Sequence, residues 1–378
     1  MKKLVVGFIF VVIGFFAFSQ DLLPYEDEWN AGTFGYIDET GKIIIPAQIR
    51  IVGRDWPEQF FEGMLRFTSN SNTTTFFKTD GTRVTYNFSN VGNFSNGIAS
   101  AYSNRSFFLK INGDSFPNNY GYIYRSVDGR IFNEGVAFVS ENNKTIAIDT
   151  SFNRLFELPV SFQNTSHKFS SGLLAVRNAR GLWGYMDTTG RMVIPAKFAL
   201  SGRHFGRGLY ENDSENEYAN FQGNYAILTD DGQNFYVINK QGEMIKNFET
   251  AYFDFPLGQM FIHRDYLVYQ PIKSAYDAEE FAVYICNLIT GEETQVQIPK
   301  DEWSYDTGRP IKLGENILCN NIIFSYNGEI ITQVSDFNSV DDNYGDKVRI
   351  WYNKYIVIRN EGYFTYYDQT GREITLRQ

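Results

Sequence analysis

The chain is poor in the residues that build metal and redox centres: two cysteines and three histidines in 378 residues. Cys286 and Cys319 allow one disulfide at most, so a disulfide-stapled scaffold is excluded. That bridge needs a Cα separation of roughly 4.4 to 6.8 Å, which equivalent places on sheets about 10 Å apart do not offer. Two small buried apolar residues are the alternative, and the pairing stays open at this point. His167, His204 and His263 each stand alone, without the second histidine or cysteine of a metal or acid–base site. Positive charge is also short: 34 Lys and Arg face 44 Asp and Glu, a net −10. Nucleic acid, whose affinity rests on clustered Lys and Arg, is therefore not an expected partner. After residue 20 no apolar stripe of helical period appears.

The only long apolar run comes first. Lys2 and Lys3 precede fifteen nearly pure apolar residues, 4 to 18, and Ala17-Phe18-Ser19 fits the small-x-small cleavage rule. The run is shorter than the about 20 residues that span a bilayer, so residues 1–19 read as a signal peptide and 20–31 as an N-terminal lead. An exported protein is expected, periplasmic, cell-surface or secreted, with no transmembrane span after cleavage. Removal of the two lysines makes the mature surface more acidic still.

What the chain does have is 34 Phe, 25 Tyr, 5 Trp and 32 Gly, a composition of short strands and tight turns. The segment GTFGYIDETGKIIIP (32–46) returns as GLWGYMDTTGRMVIP (181–195). Seven weaker copies of its turn accompany the pair, with turn residues Gly41, Gly81, Gly113, Asn153, Gly190, Gly242, Gly291, Gly328 and Gly371, 32 to 52 residues apart. Asp38, Asp149, Asp187, Asn239 and Asp368 can each accept hydrogen bonds from the turn backbone, while the glycine takes the left-handed conformation that closes it. These residues read as hairpin closers, not catalytic carboxylates. Gly35 would let a neighbouring aromatic approach the backbone. A second signature, Phe-x-x-Gly-apolar, occurs at 60–65, 94–99, 132–137, 169–174 and 205–210; its Phe is expected in the core and its Gly in a turn.

These two signatures resemble the bacterial WG-repeat family, whose unit pairs a Gly-x-Trp-Gly-Tyr-Ile-Asp hairpin with a Phe-x-x-Gly-Leu strand. Trp183, Gly184, Tyr185, Asp187 and Gly190 match it best; Gly35, Tyr36, Asp38 and Gly41 follow with Phe34 for the tryptophan. The match is specific over 32–210, and 211–378 read as degenerate repeats of the same array. The resemblance implies a scaffold without catalytic residues or cofactors. A period near 41 residues with three or four strands per unit fits an all-β array of eight to nine repeats, closed like a β-propeller. An open, curved β-solenoid is the alternative. Single hairpins are marginal alone, so stacking must stabilise the array.

Candidate binding residues come from the irregular stretches. Asp213, Glu215 and Glu217 lie where the repeat lengthens. Trp303 and Tyr305, among Asp301, Glu302 and Asp306, could stack on a sugar or a cationic group. Asp341, Asp342 and Asp346 could gather oxygen ligands for calcium but lack EF-hand spacing. The lone Asp-Thr-Gly at 306–308 lacks the second carboxylate of an aspartic protease and reads as a turn. The expected function is an exported, monomeric, non-catalytic scaffold that binds a protein or glycan through loops. A carbohydrate-active propeller with paired carboxylates about 5 to 10 Å apart is the alternative.

Overall fold

Each Asp-x-x-Gly turn reverses the chain as its residue types require. In the computed structural model, which describes residues 21–50, 57–69, 72–126, 129–161, 165–199, 219–229, 234–249, 260–270, 280–299, 310–334, 348–360 and 363–375, the Gly41 N–H donates to the Asp38 carbonyl at 3.0 Å. One Asp38 carboxylate oxygen accepts from the Thr40 N–H (2.8 Å) and hydroxyl (2.6 Å) and from the Lys42 N–H (3.1 Å). Asp187 repeats this with Thr189 and Arg191, and Asp368 with Thr370 and Arg372. The Thr189 hydroxyl holds the Asp187 carboxyl below the usual carboxylate range. Gly41 and Gly190 both have positive φ, 81° and 86°.

Between such turns the chain meanders through nine antiparallel sheets of three or four strands, within residues 23–50, 64–86, 90–117, 132–157, 173–198, 225–249, 260–299, 311–333 and 348–374. No described residue is helical. Apolar groups on both faces of each sheet fix what comes next, because each face must be covered by a neighbour. Seven core clusters do this, each spanning two or three consecutive sheets. One of them joins Trp351, Val357 and Tyr366 of the last sheet to Leu23, Tyr36 and Ile45 of the first and Phe60 and Phe77 of the second. The nine sheets form a closed ring: a nine-bladed β-propeller. No strand is shared between the chain's two ends. The closing seam instead bonds side chains of the last blade to backbone of the first: the Trp351 indole N–H donates to the Leu22 carbonyl (3.0 Å) and the Tyr366 hydroxyl to the Pro24 carbonyl.

Two expectations change. In the fourth blade the left-handed residue is Phe152 (φ 67°), whose N–H donates to the Asp149 carbonyl, and Asn153 holds the place of Lys42. Stacking on Phe108 at 4.6 Å holds the Phe152 ring and offsets a left-handed cost of about 1–2 kcal/mol. The lead at 20–31 contributes strand Leu23–Glu26 to the first blade; Pro24 is tolerated because this is an edge strand. The Phe-x-x-Gly copy at 205–210 lies outside the described residues, and buried Phe221 takes the corresponding place before the sixth blade. Both cysteines are free and buried, Cys286 in the cluster of the fifth to seventh blades and Cys319 in that of the seventh and eighth.

Candidate binding surface

Strand alternation gives the ring two unlike ends. The Asp-x-x-Gly turns and the Phe-x-x-Gly turns fall at one end, the turn end. Blade-to-blade connections and the turns between the two central strands of each blade fall at the other, the loop end.

The turn end is laced together. After Phe60, Phe94, Phe132 and Phe169, all buried, the chain makes tight turns whose two central residues both have positive φ, as in Asn96 (51°) and Gly97 (74°). A Cβ on Gly97 would meet nothing within 4 Å, so the glycine is there for its backbone angle and not for space. The residue before each turn glycine reaches the next blade. The Gly97 N–H donates to the Glu62 carboxylate (2.7 Å), Gly135 to the Asn96 side-chain carbonyl (3.2 Å), Gly172 to Glu134 (2.7 Å) and Gly223 to the Ser171 hydroxyl (2.9 Å). These bonds tie neighbouring blades to one another along a rim at the turn end.

The Gly-Tyr pair of the hairpin works across the same seams. A Cβ on Gly184 would lie 2.5 Å from the Ile194 carbonyl oxygen and 2.6 Å from the Ala196 N, because the strand carrying Pro195 bulges over it. At Gly35 the Ile45 carbonyl and the Tyr25 ring crowd the same place. Tyr36 and Tyr185 then point to the next blade: their hydroxyls donate to the Glu58 (2.7 Å) and Ala219 (2.6 Å) carbonyls. Their rings meet Phe60 and Phe221 edge-on at 5.2 and 4.9 Å. Burial raises the Tyr36 phenol well above its ordinary pKa, so it stays a donor at any physiological pH.

The loop end is different in kind. The described chain breaks off there after Ala199, Pro299 and Val334 and resumes at Ala219, Pro310 and Val348. Asp213, Glu215, Glu217, Trp303, Tyr305, Asp341, Asp342 and Asp346 therefore lie outside the described residues. Around these anchor points stand exposed aromatics: Trp29 in the first central turn, Tyr102 at the end of Ile98–Tyr102, Tyr122 before the fourth blade and Tyr363 at the start of Tyr363–Tyr367. Trp29 is 89% exposed, yet its backbone is pinned. The Asp27 carboxylate accepts from the Trp29 (2.8 Å) and Asn30 (3.1 Å) N–H groups, and Glu26 accepts from the Gly32 N–H (2.6 Å). The exposed large apolar residues near the turn end are mostly without rings, Ile43, Met192, Met244 and Ile330 among them, with Phe116 (38% exposed) the aromatic exception.

Residues 34–50 and 183–199, the two segments with the bulged Gly-Tyr geometry, match the WG containing repeat. The chain carries the WG containing repeat. No curated protein matches it in sequence. Among solved structures, BamB from Moraxella catarrhalis is similar, with 13% identity and a TM-score of 0.40 over 81% of this chain and 94% of that one. The Cps50 (Swd1) β-propeller domain of Myceliophteria thermophila is similar at 10% identity and a TM-score of 0.33, over 82% of this chain and 99% of that one.

In this WG-repeat chain the sequence reading passed over Trp29. A signal for it exists in the sequence: Asp27-Glu28-Trp29 repeats the tripeptide Asp301-Glu302-Trp303. Among the described residues no group of three or more His, Cys, Asp or Glu is placed to hold a metal. No described helix is long and apolar enough to cross a membrane.

Proposed function

We propose that this WG-repeat propeller is an exported, non-catalytic scaffold that binds a protein or glycan partner through its loop end. The observation that carries this reading is the rigidly presented, solvent-facing Trp29 in company with Tyr102, Tyr122 and Tyr363. Exposed aromatics on a fixed frame supply contact area at little cost in conformational entropy, which is why Trp and Tyr dominate binding hot spots. The turn end has polar groups engaged within its turns and in blade-to-blade bonds, and offers mainly non-aromatic apolar residues on outer strands. Export rests on Lys2, Lys3, the apolar residues 4–18 and the Ala17-Phe18-Ser19 site.

The test is capture from an envelope extract by immobilised mature protein, alongside Trp29→Ala and a Trp29→Ala/Tyr363→Ala double variant. A partner retained by the wild type and lost by the variants, at unchanged melting temperature, is the expected result. Equal retention by all three would move the binding surface away from the loop end.

A further inference from the structure

Among the described residues, eight blade-to-blade links can be compared along the rim of the turn end, and one is unlike the rest. Seven are made to backbone. Four are the bonds received by Gly97, Gly135, Gly172 and Gly223. The others are Ile262 N–H to the Gln222 side chain (2.7 Å), Gly314 N–H to the Asn353 carbonyl, and Phe60 N–H to the Tyr352 hydroxyl (3.2 Å). Between the seventh and eighth blades the rim link is an ion pair of two exposed side chains, Arg264 and Glu315, at 2.9 Å. Exposed pairs of this kind contribute little.

Behind that pair sits His263, only 13% exposed, its ring 5.0 Å from that of Tyr326. Its Nε2 is buried and has no hydrogen-bond partner, and neither has the buried Tyr326 hydroxyl. The nearest carboxylate oxygen, on Glu315, is 3.7 Å away, too far for a hydrogen bond, and is already held by Arg264. The other groups around the ring are Lys312 on strand Ile311–Leu313 and Tyr266, whose ring lies 5.5 Å from Tyr326. Burial and the cations of Lys312 and Arg264 disfavour the imidazolium here, and the Glu315 carboxylate at 3.7 Å opposes them only in part.

We propose that acidification opens the seam between the seventh and eighth blades, with protonation of His263 as the trigger. Opening gives the charged ring water. Burial, then Lys312, hold the closed-state imidazole below its ordinary value of 6.5. The closed seam is therefore fully favoured above that value and loses its advantage as pH falls below it.

Cys319 is a native reporter, because it is fully buried in the apolar cluster spanning this seam, with Val268, Ile285, Ile317 and Phe324. Cys286 lies in the cluster of the fifth to seventh blades and serves as control. The experiment is labelling of the mature protein with 4,4′-dithiodipyridine, each rate divided by that of the denatured chain at the same pH. Cys319 labelling should rise about ten-fold or more between pH 7.5 and 5.5 while Cys286 stays protected, and His263→Phe should abolish the rise. A flat wild-type profile, or an undiminished rise in His263→Phe, overturns the proposal. Should His263→Phe fail to fold, Glu315→Gln moves the opening to higher pH, since it takes the closed-state imidazole further below its open-state value and removes the Arg264–Glu315 link. An unmoved midpoint there also overturns it. His167→Asn should leave the Cys319 response intact; its loss would place the trigger elsewhere.

Discussion

The two ends of the ring are made from the same strands and solve opposite problems. At the turn end, chain reversals are spelled by fixed residue types, whose side chains and N–H groups are used up within the turn itself or on the adjacent blade. At the loop end the reversals are polar but not uniform, as the Asp27 turn and the Asn142–Asn143 turn illustrate; the latter has both φ positive. Aromatic side chains are left in solvent there. Repetition at one end is what frees the other to vary.

The sharpest way to break that contrast is to attack the bulge. Gly184→Val puts a Cβ against the Ile194 and Ala196 backbone, where no side chain can yield, and should cost about 3 kcal/mol. An unaltered thermal melt would mean that the bulge does not hold the hairpin. Glu134→Ala removes the acceptor for both the Ser171 (2.6 Å) and Gly172 (2.7 Å) N–H groups and should cost about 1 to 2 kcal/mol, read as a lowered urea midpoint. Gly97→Ala meets no steric obstacle, so its loss of about 1 kcal/mol isolates the left-handed backbone. A smaller effect concerns pH. Burial lowers the His167 pKa from 6.5, so the unfolded chain binds the proton first and stability declines as pH falls below about 6.5. His167→Asn keeps a residue tolerant of its φ of 63° and should flatten part of that slope. Trp29→Ala should change stability least, within about 0.5 kcal/mol; a larger loss would make Trp29 structural.

Sequence pattern carried the turn end almost completely, because its determinants are local. Asp38 with Gly41, and Asp187 with Gly190, need only their own turn. The reading slipped where a tertiary contact replaced the local rule. Phe152 holds a left-handed angle because Phe108 stacks on it, and nothing within its own turn announces that. Phe221 escaped because its glycine follows two positions on, not three. The loop end was legible only as irregularity, which locates variation without saying which residues face solvent. Trp29 was hidden among lead residues whose strand forms only against Thr33–Ile37, and the importance of Gly35 for the returning strand became clear only with the register of that pair.

The ring closes side to side, with the first blade built wholly from residues 23–50 and the last wholly from 348–374. Among the described residues, the first and last strands therefore fall on unit boundaries. In a propeller latched by a shared strand, adding or removing a unit leaves that latch tied to both termini; here a whole unit can be duplicated or deleted between any two others while each junction keeps its own bonds. The same property makes the gene's starting point arbitrary. A circular permutant joining 375 to 21 through a short linker and opened between the fourth and fifth blades should reach the same fold. Evolution of this chain by tandem copying needs no topological invention, and the eight identities in fifteen positions between 32–46 and 181–195, four blades apart, fit such a history.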